Sequence, residues 1–225
     1  MRSSVALVRM SMLACIILSP ALAQQIGSIR GTVVDEKGAA VFGARVSAET
    51  LNGIPQSKAV PFAETDKNGH FSLGNLELGT YGVFAMKESS GYPNTSSSFY
   101  SNNIFSTATL TPRAPTIDLV LQVGPRAGVL KGQITDAATS QPLDVAFLLR
   151  RSADPNNWVS ISKRGEYLVL VPPSTDVFFE VSAPGYKTYY YGGTSDSLKR
   201  PPVRLQSAQE MKLDIQLDPE ENAGK

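Results

Sequence analysis

His70 is the one histidine in 225 residues, and Cys15 is the one cysteine. Nucleophilic and metal chemistry therefore have few places to start. A zinc site built on two histidines lacks its second ligand, and a Ser-His-Asp arrangement has only His70 to be built around. His70 follows Asp66-Lys67-Asn68-Gly69, where alternate side-chain oxygens precede a turn glycine as in the first half of a calcium loop. The remainder of such a loop, with its distal glutamate, does not follow. Asn-Gly between two alternating apolar runs is instead the short hairpin signal. It places His70 at the start of a strand, in a structural or solvent-facing role. The expectation is a protein that is not an enzyme and needs neither cofactor nor metal.

The aromatic residues offer binding chemistry. Tyr186, Tyr189, Tyr190 and Tyr191 precede Gly192-Gly193, and Trp158 lies earlier in the same region. Flat rings that also carry a hydroxyl or an indole N–H can form a platform on which sugar rings stack. Strand alternation gives a competing reading, in which Tyr190 is core while Tyr189 and Tyr191 cover a sheet edge. These five residues are the candidate ligand-binding set, with a polysaccharide or an envelope protein as the partner. The net charge is only +1, with acids and bases interspersed. No basic face exists to neutralise phosphates, so nucleic acid is excluded as a partner.

Any such site must be positioned by short strands. Charged residues make up 18% of the chain, below the roughly 25% of an average soluble domain, and Gly, Pro, Ser and Thr punctuate it throughout. The N-terminus has a different character. Arg2 and Arg9 precede the apolar run Met10 to Leu18, and Pro20-Ala21-Leu22-Ala23 ends in a small-x-small pattern. This is the pattern of a cleavable signal peptide over residues 1–23, giving a secreted or periplasmic protein with no transmembrane helix in its mature part. Cleavage would remove Cys15 and leave no thiol for a disulfide. A second reading makes Cys15 a lipid-anchor site, but it would leave Ile16-Ile17-Leu18 on the mature side.

The rest of the chain carries a repeat of about one hundred residues. Gly31-Thr32-Val33-Val34-Asp35 recurs as Gly132-Gln133-Ile134-Thr135-Asp136, each an alternating strand running into a turn. Asn68-Gly69-His70-Phe71-Ser72-Leu73 matches Arg164-Gly165-Glu166-Tyr167-Leu168-Val169. Strands from Tyr81 to Met86 and from Val177 to Ser182 lead to Gly91-Tyr92 and Gly185-Tyr186. The units close on Ile117 to Leu121 and Leu213 to Leu217, with further strands at 45–48, 145–149 and 158–161. About six or seven short strands per unit, separated by turns, is the pattern of a β-sandwich. The expected fold is all-β: two tandem antiparallel sandwiches of transthyretin or immunoglobulin type, over residues 26–123 and 128–218. Glu88 to Thr116, rich in Ser, Asn and Thr, is expected to run over the surface. Residues 219–225 are expected to be a disordered tail.

The run Gly31 to Asp35, then Val41-Phe42-Gly43-Ala44-Arg45-Val46, Thr65 to Leu73, and Gly79-Thr80-Tyr81 resembles the carboxypeptidase regulatory-like domain. The second unit resembles it as a divergent copy, with Ser162-Lys163-Arg164 where the family places Asp and Asn before the turn glycine. Leu78 stands where the family places proline. The resemblance implies a transthyretin-like, starch-binding-like sandwich. It further implies a non-catalytic accessory domain, of a kind found in secreted or envelope proteins that handle peptides or glycans. A structural spacer or interaction scaffold of the envelope is the alternative. The transthyretin-like hydrolases are a distant one, because they need several histidines and a tyrosine-bearing C-terminal motif that this chain lacks. The carboxypeptidase active site itself is missing.

Overall fold

The computed structural model describes residues 25–51, 61–100, 105–154, 156–196 and 198–220. The expected signal peptide, with Cys15, lies outside these residues. The described chain is all-β, with one short 3-10 turn at Glu88–Ser90. Among the described residues no helix is long and apolar enough to cross a membrane.

Seven strands enclose the first core. They are β1 (Ile26–Val34), β2 (Arg45–Thr50), β3 (Phe62–Glu64), β4 (His70–Glu77), β5 (Gly79–Met86), β6 (Ser106–Leu110) and β7 (Thr116–Gln122). One layer has the order β4-β1-β7 and the other β3-β2-β5-β6. Alternation sends Ile29 and Val33 of β1, Val46 and Ala48 of β2, and Phe71 and Leu73 of β4 into the space between them, where all are buried.

Eight strands form around the second core. They are β8 (Gly128–Asp136), β9 (Asp144–Arg151), β10 (Trp158–Arg164), β11 (Glu166–Val171), β12 (Val177–Ser182), β13 (Tyr189–Tyr190), β14 (Glu210–Lys212) and β15 (Ile215–Leu217). They belong to one continuous sheet, but β10 and β11 meet only at Arg164 and Glu166. The sheet folds there into two layers, β13-β12-β9-β10 and β11-β8, with β14 and β15 following one another along β8. The strand order thus repeats that of the first half. Phe147, Phe179, Leu130, Ile134 and Ile215 meet in the middle.

The closing strands differ from the antiparallel expectation. β7 runs parallel to β1, and β14 and β15 run parallel to β8; the other pairings are antiparallel. Alternation specifies which face a strand buries but not its direction. A glycine in each opening strand accommodates this neighbour. A Cβ on Gly31 would stand 1.9 Å from the Leu119 carbonyl oxygen, and one on Gly132 would stand 2.1 Å from that of Leu213. On the other side, Gly31 lies opposite Phe71 and Gly132 opposite Tyr167, so in each half an aromatic ring stands across the ladder from the glycine. The aspartate closing each motif is equally purposeful. Asp35 Oδ1 accepts N–H bonds from Lys37 and Ala39, and Asp136 Oδ1 accepts them from Ala138 and Thr139.

The surface excursion expected over Glu88 to Thr116 is corrected. Ala108 and Leu110 of β6 and Tyr92 are buried in the first core, and Phe99 is buried in the second. Serines and threonines hide this stretch in a composition reading, because they occupy the outward positions between a few apolar anchors. At the other end, Pro219 bridges Tyr186 and the Glu220 N–H bonds the Gly185 carbonyl at 2.9 Å. Residues 221–225 lie outside the described chain.

Candidate functional site

The layer β13-β12-β9-β10 has one face on the core and one in solvent. Its register sorts every candidate residue. Tyr189 pairs with Val181, which pairs with Phe147, and both of these are buried. Tyr189 is therefore on the core side. Tyr191 stacks on Phe179 with ring centroids 5.1 Å apart, and Tyr189 lies 6.3 Å from the same ring. Tyr190 falls on the opposite side, in line with Glu180 and Leu148. The competing reading of this segment is thus inverted. Alternation holds, but Tyr189 and Tyr191 are the residues against the core, because the preceding turn at Ala183 to Tyr186 sets the phase of the strand.

Tyr186 is committed elsewhere. Its hydroxyl donates to Asp136 Oδ2 at 2.7 Å, tying the segment after β12 to the turn after β8. That bond, aided by the Thr139 and Ala138 N–H groups, holds the Asp136 carboxyl below the usual carboxylate range, and it pushes the Tyr186 phenol up. Burial likewise pushes the Tyr189 phenol up.

Trp158 and Tyr190 remain on the outer face. Trp158 is 56% exposed. Across the sheet it lies in one row with Arg150 and Phe178, and the next row is Ser160, Leu148, Glu180 and Tyr190. A third row, Ser162, Ala146 and Ser182, consists of small side chains only. These small residues floor an open trough of about 760 Å³, rimmed by Asp144, Lys163, Arg164 and Pro184. Charge is distributed across the face. Glu180 lies 3.5 Å from Arg200 and 3.9 Å from Arg150, and the Arg200 guanidinium sits 4.5 Å above the Tyr190 ring. The result is a shallow, hydroxyl-lined surface with an exposed indole at one end and fixed donors and acceptors across it. Sequence reasoning missed Arg150, Phe178, Glu180 and Arg200. The period-two outward positions of β9 and β12 carried the signal, but their pairing with Trp158 exists only in the register.

His70 is far simpler. Its Nδ1 lies 3.4 Å from Asp66 Oδ2, with both side chains more than half exposed. Asp66 Oδ1 accepts the N–H groups of Asn68 and His70, which makes Asp66 to Gly69 an Asx-type hairpin turn. Among the described residues no cluster of His, Cys, Asp and Glu could hold a metal ion.

No curated protein matches the chain. Among solved structures, the Bacillus anthracis TIE protein is 17% identical with a TM-score of 0.35, over 87% of this chain and 34% of its own. The Streptococcal ancillary pilin is 16% identical with a TM-score of 0.34, over 89% of this chain and 64% of its own. The shaft pilin SpaA from Lactobacillus rhamnosus GG is 9% identical with a TM-score of 0.32, over 88% and 99%. The chain thus spans about a third of the first of these proteins and under two thirds of the second. The family comparison bears on the first half, where the model of the carboxypeptidase regulatory-like domain matches residues 28–121. The stretch from 28 to 121, a two-layer sandwich with a glycine beneath its closing strand and capped Asp35 and Asp66 turns, is similar to the carboxypeptidase regulatory-like domain.

Proposed function

We propose that this is a non-catalytic binding protein of the cell exterior or periplasm, made of two sandwich domains over residues 26–123 and 128–218. In this reading the second domain is a divergent copy of the first. The common strand order, the glycine opposite an aromatic and the aspartate-capped turn after the opening strand support the duplication. The N-terminal charge and apolar pattern supports export.

The ligand we propose is a polysaccharide, held on the outer face of β13-β12-β9-β10. The observation carrying this reading is the exposed Trp158 in register with Arg150 and Phe178, beside a trough floored by Ser162, Ala146 and Ser182. Trp158 stacks one sugar ring, the serine hydroxyls and the Glu180 and Arg150 groups meet hydroxyls, and Tyr190 lies three strands away. Ladder spacing puts Tyr190 roughly 15 Å from Trp158, so a chain of sugars, and not a single one, spans the face.

Affinity electrophoresis of the chain from Gln24 to Lys225 against a panel of polysaccharides and peptidoglycan tests this. Retardation by one polymer that falls at least tenfold in Trp158→Ala is the expected result. No retardation by any polymer, or retardation unchanged in Trp158→Ala, overturns it. A protein-binding role is the second reading, favoured by an open sheet edge.

A further inference from the structure

The edge in question is β10, seven residues long and paired on one side only. β9 covers that side over its whole length. On the other, among the described residues, only Arg164 finds a partner, at the hairpin with Glu166. The direction of its main-chain groups follows from one bond. The Arg151 N–H donates to the Asn157 carbonyl at 3.1 Å, so Asn157 faces β9. Alternation in an antiparallel ladder then turns Val159, Ile161 and Lys163 toward β9. The N–H and C=O groups of Trp158, Ser160 and Ser162 point to the open side.

The side chains of the strand alternate just as cleanly. Trp158, Ser160 and Ser162 are exposed, while Val159 and Ile161 pack on the second core yet stay only partly buried. Folded proteins usually protect such an edge with a charge, a proline or brevity. β3 and β13 are three and two residues long, and β7 carries Asp118 near its middle. β10 has neither charge nor proline from Trp158 to Ser162, and its cations Lys163 and Arg164 stand at the hairpin end.

We propose that β10 pairs antiparallel with β10 of a second copy of this chain, joining two molecules through a continuous sheet. The sequence of the strand is complementary to itself. With Ser160 opposite Ser160 of the other copy, Val159 meets Ile161, Trp158 meets Ser162, and Lys163 meets Asn157. Apolar groups thus face apolar groups on the core side, hydroxyls face hydroxyls outside, and no like charges oppose. The outward N–H and C=O groups of Trp158, Ser160 and Ser162 then all find partners. The contact is isologous, so it closes at two molecules. A strand pair of this length buries less than the ~1,200 Å² of a standard interface, so the expected association is weak and reversible.

Proline substitution tests this contact at the main-chain groups that make it. Ser160→Pro and Ser162→Pro each remove an outward N–H that pairs with no main-chain group among the described residues, a change edge strands tolerate. Sedimentation equilibrium of the chain from Gln24 to Lys225 is expected to show a monomer–dimer equilibrium. Dissociation should rise at least tenfold in both proline variants and stay unchanged in Ser160→Ala, with circular dichroism confirming the fold. A second readout needs no proline: Ser160→Cys should oxidise to a covalent dimer, while Leu198→Cys, at a 94% exposed position, should not. A monomer at all concentrations, a dimer indifferent to both prolines, or equal cross-linking at both positions overturns the proposal. Glycan binding is read separately: Tyr190→Ala, on β13 and three strands from the β10 edge, lowers polysaccharide retardation and leaves the dimer unchanged.

Discussion

Arg151 donates its Nε to the carbonyl oxygen of Phe99 at 2.9 Å, joining the last strand position of β9 to a residue from the other half of the chain. Asn157 Nδ2 reaches the neighbouring Ser98 carbonyl at 3.3 Å. Between these bonds the Phe99 ring is buried in the second core, edge-on to Tyr100 at 5.0 Å. At the start of the same segment, Arg126 Nε donates to the Tyr92 hydroxyl at 3.0 Å and the Ala127 N–H to the Gly91 carbonyl at 2.8 Å. The stretch from Gly91 to Tyr100 is therefore a strap: it leaves one sandwich and completes the other.

Phe99→Ala should therefore destabilise the second core although its position belongs to the first unit. Removing a fully buried ring costs about 3–5 kcal/mol. Urea unfolding followed by Trp158 fluorescence, a reporter in the second half, measures it. A loss under about 1 kcal/mol would mean that the strap rests on the core without completing it.

Gly31→Ala and Gly132→Ala should each cost about 1–3 kcal/mol or more, because the added methyl meets a main-chain carbonyl that cannot swing aside. Gly74→Ala is the control. Nothing lies within 4 Å of its Cβ position, so its midpoint in urea should shift by no more than about 0.5 kcal/mol.

Tyr186→Phe should act through Asp136 and so depend on pH. The hydroxyl holds the folded-state pKa of Asp136 below its unfolded value of about 3.9. That contribution is present above pH 4 and is lost as pH falls through the folded pKa. The variant should unfold at lower urea than the parent at pH 7, with the two midpoints converging on acidification. A difference that stays constant down to low pH would assign the effect to packing instead.

Tyr191→Ala should cost about 1–3 kcal/mol, since its ring stacks on buried Phe179 and is half-buried itself. Polysaccharide retardation, measured well below the unfolding midpoint, should not change. Tyr190→Ala should do the opposite, lowering retardation with little loss of stability.

Much of this molecule is legible in its sequence. The Gly-x-Val/Ile-x-Asp motifs locate both opening strands, and the Gly69 and Gly165 turns locate the strands that pair with them, because in each case one residue type meets a local steric or hydrogen-bonding demand. Strand direction was not legible: Ile117-Asp118-Leu119 alternates identically whether it runs with β1 or against it. Nor was the strap, since Phe99 is a single apolar residue among serines and its partner lies 52 residues on at Arg151. The candidate site was half legible. Trp158 stands out by type, but the phase of Tyr189 to Tyr191 hangs on one turn, and the polar half of the face is assembled by register alone.

The parallel closing strands also fix how the polypeptide travels. A strand that ends beside its opening partner, pointing the same way, delivers the chain to the far end of the sandwich from where it entered. Each unit therefore advances the path by one strand length, roughly 25 Å for β1 and β7, and further units could be added without turning back. Each half is thus a fold that takes the chain in at one end of its opening strand and releases it at the other.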